Sequence, residues 1–111
     1  MLDGQSAQEQ KKILRQEYGW FHTSCVEILA SSDPLGLVAS GAPDDEYDIE
    51  VDVILLRMGE ATSLDILSDI IYEEFIRCFG LPTDYPKTAY TTIAVRVWEA
   101  YQRWLHERKK S

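Results

Sequence analysis

The chain has 111 residues and a mass of 12.7 kDa, which suits one domain with an ordinary core. Its hydrophobic fraction of 45% and aromatic fraction of 11% are those of a globular protein and exclude a disordered one. Nineteen acids against eleven bases give a net charge of −8, which repels phosphate backbones and argues against nucleic acid as a direct partner.

The longest apolar stretch, Val53-Ile54-Leu55-Leu56, falls far short of the roughly 20 residues a membrane helix needs. The opening Met1-Leu2-Asp3-Gly4-Gln5 has neither the basic nor the apolar region of a secretory signal, so a soluble, cytoplasmic protein is expected. Cys25 and Cys78 are far apart and in no CxxC arrangement, and are expected to be free thiols used as small core residues.

In chain order, Ser6-Ala7-Gln8-Glu9 has the form of a capping box. Leu14, Tyr18, Phe21, Cys25 and Ile28 follow at 4-3-4-3 spacing, which predicts one long helix over about 6–31 with Gly19 a place for a bend. Asp33-Pro34 ends it, because the residue before proline avoids the helical region. Residues 35–47 carry Gly36, Gly41, Pro43 and a run of acids without periodicity, and are expected to form an ordered loop.

Ile49 to Leu56 is ambiguous: its first half alternates as a strand does, while Val51, Ile54, Leu55 and Met58 share a helical face. No second alternating segment joined by a tight turn offers a strand partner, so the segment is read as helix, with Asp48 its N-cap, Glu50 and Asp52 in its first turn, and Gly59 its stop. A third helix is predicted to start at Thr62-Ser63-Leu64-Asp65, a Thr-x-x-Asp variant of the capping box, and to bury Leu67, Ile70, Ile71, Phe75, Cys78 and Phe79. Phe79-Gly80-Leu81-Pro82 closes it with a left-handed glycine cap. A last helix begins around Asp84 to Pro86 and carries Tyr90, Ile93, Ala94, Val97, Tyr101, Trp104 and Leu105 inward, with Arg108, Lys109 and Lys110 at its negative end. The expected architecture is all-α: a single domain over 1–111 that is a compact bundle of about four helices, with one longer loop between the first and second and fraying at 1–5 and 108–111.

Chemistry is sparse. His22 and His106 are the only histidines, each expected at a surface or boundary, and a Cys25–His22 pair has no third residue in sequence to orient the base. Asp44, Asp45, Glu46, Asp48, Glu50 and Asp52 place six carboxylates within nine residues with no Lys or Arg among them. An EF-hand needs glycine at its sixth position and glutamate at its twelfth; counted from Asp44 these are Ile49 and Leu55, so that pattern fails. The run suits a solvated helix start, or a recognition surface of Asp44, Asp45, Glu46, Glu50 and Asp52. No catalytic, cofactor-binding or metal-ligating set is assigned. Trp20 and Trp98 lie off or at the edge of their stripes, and either would mark a docking or dimer surface if exposed.

Asp33-Pro34-Leu35-Gly36-Leu37 followed by Gly41-Ala42-Pro43-Asp44-Asp45-Glu46-Tyr47-Asp48 resembles the YugE-like family, a domain of unknown function in small bacterial proteins. Ser32 and Ile49 stand where that family carries tryptophan and proline, and Phe75 with Phe79-Gly80 where it carries an aromatic pair and glycine. The resemblance implies an all-helical fold and a bacterial origin, and no established activity. Related sequences occur among candidate immunity proteins of bacterial toxin systems, where an acidic protein neutralises a basic one. Within that loop, Asp33, Pro34, Gly41, Pro43, Tyr47 and Asp48 are expected to be structural. The expected role is therefore that of a non-catalytic protein-binding module with a basic partner. A small metal-dependent protein or enzyme using the carboxylates from Asp44 to Asp52, and a subunit of a homodimer or larger homo-oligomer, are the alternatives.

Overall fold

The computed structural model describes residues 3–32, 41, 47–80 and 87–110, and among them every regular element is helical. The elements are α1 (Asp3–Tyr18), α2 (Trp20–Ser32), α3 (Asp48–Leu56), a 3₁₀ turn (Met58–Glu60), α4 (Leu64–Phe79), a second 3₁₀ turn (Lys87–Tyr90) and α5 (Thr91–Lys110).

The described residues thus form five α-helices where about four are expected, because the first predicted helix is two. Gly19 separates them with a left-handed φ of 51°, while its amide still bonds Arg15 O at 2.9 Å and its carbonyl accepts from His22 N at 3.1 Å. An L-residue enters that region at a cost of about 1–2 kcal/mol, so glycine is what lets one helix stop and the next start within a single residue. The 4-3-4-3 stripe survives the break: Leu14, Phe21, Cys25 and Ile28 are all buried.

Other boundaries also move. α1 begins at Asp3, ahead of the Ser6 capping box. α3 stops at Leu56, and Gly59 lies in the 3₁₀ turn that follows it. Asp48 is the first helical residue of α3 and Tyr47 holds the cap position, so Asp48 is not the N-cap. α4 is capped by Ser63 and not Thr62: the Ser63 hydroxyl accepts from Ile66 N at 3.2 Å. Its far end is as expected, with Gly80 left-handed at φ 64° and bonded to Ile76 O. α5 is entered through the 3₁₀ turn, and Asp84 to Pro86 lie outside the described residues.

α5 packs against both α2 and α4, α3 against both α2 and α4, and α1 crosses onto α2 and α3. Between them lie Phe21, Leu29, Val51, Leu55, Leu67, Ile71, Phe75 and Tyr90, all sealed from solvent. Each large side chain removed from water in this way contributes about 1.5–3 kcal/mol. Where α1, α2 and α5 meet, Tyr18, Phe21, Tyr101 and Trp104 form an aromatic cluster with ring centroids 4.9 to 5.9 Å apart, and the Arg108 guanidinium lies 4.7 Å from the Trp104 ring centroid. At the other end of α2, Arg96 of α5 donates to the hydroxyls of Ser31 and Ser32 at 3.1 and 3.2 Å, a cation at the negative end of a helix.

Candidate functional site

The candidate site is built on α3, which carries Ile49 and Leu56, two of the five exposed large apolar side chains among the described residues. At 100° per residue, Val51, Ile54 and Leu55 fall on its inner side and are buried, with Met58 just beyond the helix. Ile49, Val53 and Leu56 fall together on its outer side: Ile49 is 66% exposed, Leu56 48%, and Val53 half-buried. The helix is apolar on both faces, and among the described residues only the inner one is fully covered.

Glu50 and Asp52 are turned to its flanks, and both correct the expected recognition surface. Glu50 is buried, close enough to Cys78 of α4 that, after burial itself, its charge raises the Cys78 thiol above its ordinary value. Asp52 has a side chain only 17% exposed, with Oδ1 2.9 Å from Nε2 of His22, which is itself buried. Neither carboxylate belongs to an outward acidic patch, and His22 is no surface histidine: a helix only nine residues long between two neighbours offers its flanks to them. Asp44, Asp45 and Glu46 lie outside the described residues, as do Asp33, Pro34 and Pro43. Of the loop's expected structural residues, Gly41 has a positive φ of 103°. Tyr47 is fully buried, its ring 6.0 Å from that of Phe75 and 6.4 Å from that of Phe79.

His22 and Cys25 share a turn of α2, and Asp52 now supplies the third group that orients an imidazole. The chemistry of that set is nevertheless poor for nucleophilic attack. Cys25 is 3% exposed and burial pushes its thiol up to about 12, so almost none is thiolate at neutral pH. Cys25 and Cys78 are both free thiols, but only Cys25 is a core residue; Cys78 is half-buried.

At the C-terminal end of α3, Arg57 donates to Glu60 at 3.2 Å, Glu73 at 3.0 Å and Glu74 at 2.9 Å, and Arg77 Nε reaches Glu74 at 3.0 Å. Burial alone would raise the Glu74 carboxyl, but the hydrogen bonds from Arg77 and Arg57 outweigh it and hold it below the ordinary value. Both guanidiniums are occupied here. Sequence pattern gave no sign of this network, whose members lie on three elements, nor of the His22–Asp52 pair.

The two tryptophans differ. Trp20 is 39% exposed and its indole donates to Glu107 at 3.1 Å, tying the start of α2 to the end of α5; Trp98 is half-buried against Tyr101. A groove of about 460 Å³ between the start of α4 and the entry to α5 is lined by Asp65, Ser68, Asp69, Lys87 and Thr91, and its lysine is paired with Asp69. Among the described residues no three His, Cys, Asp or Glu side chains are grouped to hold a metal ion, and no helix is long and apolar enough to cross a membrane. Compared with known proteins, the chain matches no family model, no curated protein and no solved structure.

Proposed function

We propose that this chain is a non-catalytic protein-binding module. The observation that carries the reading is the outer face of α3, which leaves Ile49 and Leu56 in water on a helix whose other face fills the core. A helix apolar all round is normally covered on all sides, so an open apolar face is the mark of a surface that another molecule covers. The sealed thiol of Cys25 supports the non-catalytic half of the proposal. The net charge of −8 favours a basic partner, whose approach it would accelerate. Kinship with the YugE-like family, a bacterial cytoplasmic setting and an immunity-type role belong to the same proposal and rest on the resemblance over 33–48.

A photo-crosslinking residue at position 49, compared with one at the exposed Gln102 of α5, tests it in the source cells. A protein captured from position 49 alone, which when purified binds the wild-type chain and not Ile49→Ser/Leu56→Ser, is the expected result. Equal capture from both positions, or none from position 49, would remove the binding role of α3.

A further inference from the structure

The geometry points to the kind of partner the outer stripe of α3 takes: we infer that it receives an amphipathic helix, apolar along one side and rich in lysine or arginine at its edges. The inference rests on the binding-module reading and adds the chemistry of the partner.

The first argument is shape. Ile49, Val53 and Leu56 occupy positions i, i+4 and i+7 and make a ridge two turns long, about 10 Å. Such a ridge is complementary to the groove between side-chain rows on another helix, whereas an extended strand pairs through backbone groups that α3 has already spent within itself.

The second argument is charge. At the C-terminal end of the stripe, Glu60 and Glu73 are exposed, and the Arg57–Arg77 network sets two guanidiniums against three carboxylates. In sequence, no Lys or Arg occurs between Ala42 and Arg57. An apolar ridge that ends beside an excess of carboxylates, on a chain of net charge −8, suits a helix whose leucine-like side is flanked by cations. A second copy of this chain is disfavoured as occupant, because it would bring the same acids and another −8 to the contact.

The test uses the full chain and two short synthetic helical peptides with identical leucine spacing, one with lysine and one with glutamate at the remaining positions, read by fluorescence anisotropy. The lysine peptide is expected to bind at least roughly tenfold tighter than the glutamate peptide, and to weaken several-fold between roughly 50 and 300 mM salt. Ile49→Ser/Leu56→Ser, with unchanged helical circular dichroism, is expected to lower lysine-peptide affinity by about tenfold or more, since each loses exposed apolar area and about 1.4 kcal/mol is tenfold. Gln102→Ala on α5 is expected to leave it unchanged. Equal affinity for the two peptides, no binding of either, or an unaltered affinity in the double variant would overturn the inference. Light scattering that shows a dimer dissolved by the double variant would overturn it in favour of a second copy. If position 49 captures a partner in cells while both peptides fail, the binding role stands and the basic helix falls.

Discussion

His22 of α2 and Asp52 of α3 are joined across the helix interface by a bond of 2.9 Å, with the imidazole almost sealed from water. A carboxylate only accepts, so Nε2 carries the hydrogen. Removing Asp52 leaves a buried donor without its acceptor, and Asp52→Ala should cost about 1–3 kcal/mol in urea unfolding. His22→Leu/Asp52→Ala should cost less than the sum of the two single changes, because no polar group is then stranded. Strict additivity in the cycle would show that the pair does not form in solution.

Glu74 predicts an acid dependence. Its folded-state pKa is depressed, so the stability its pairing supplies is complete above the unfolded value of about 4.5 and disappears as pH falls through the lower folded value. Glu74→Gln should therefore unfold at lower denaturant than wild type at pH 7, by about 1–2 kcal/mol, with the two converging as pH is taken well below 4. A difference that persists undiminished in acid would assign the effect to packing.

Gly19 has open space around it, so its replacement is opposed by backbone conformation alone. Gly19→Ala should destabilise by about 1–2 kcal/mol in thermal or urea unfolding. No loss would mean that α1 and α2 tolerate a continuous helix.

The two faces of α3 should respond in opposite ways. Ile54→Ala, in the core, should cost about 2–5 kcal/mol. Ile49→Ser should stay within about 0.5 kcal/mol of wild type. Phe75→Ala should cost about 3–5 kcal/mol, and Tyr101→Ala less, because Phe75 is fully enclosed and Tyr101 only half-buried. Comparable losses at positions 49 and 54 would reverse the assignment of faces.

Thiol labelling of the folded protein should modify Cys78 first, since it is half-buried, and Cys25 only on unfolding. Cys78→Ser should abolish the faster phase. Rapid labelling in that variant would reopen the question of Cys25 chemistry.

Helix type and most core positions were legible in the sequence because 3.6-residue periodicity records which side of a helix is covered. That same record understates Gly19, expected as a bend and found as a break: the stripe from Leu14 to Ile28 stays in phase across it, so periodicity alone shows one helix. The strand-or-helix ambiguity of Ile49 to Leu56 has a physical cause in the structure, where apolar residues occupy both the inner and the outer face of α3. Two adjacent hydroxyls, Thr62 and Ser63, made the α4 cap ambiguous by one residue. Nothing local could reveal the His22–Asp52 pair, whose members are 30 residues apart and meet only when α2 and α3 pack. Glu50 and Asp52 look outward from the sequence because proximity in sequence says nothing about which flank of a helix a neighbour covers.

The rings of Tyr18, Phe21, Tyr101 and Trp104 have an optical consequence. Aromatic chromophores held about 5–6 Å apart in fixed orientation couple their ultraviolet transitions, and tertiary order of this kind gives near-ultraviolet dichroism that is lost when packing loosens. Tyr18 is the only member supplied by α1. A Tyr18→Leu variant therefore subtracts the contribution of that helix from the spectrum, and the difference follows α1 undocking from α2 and α5 on heating without any added label.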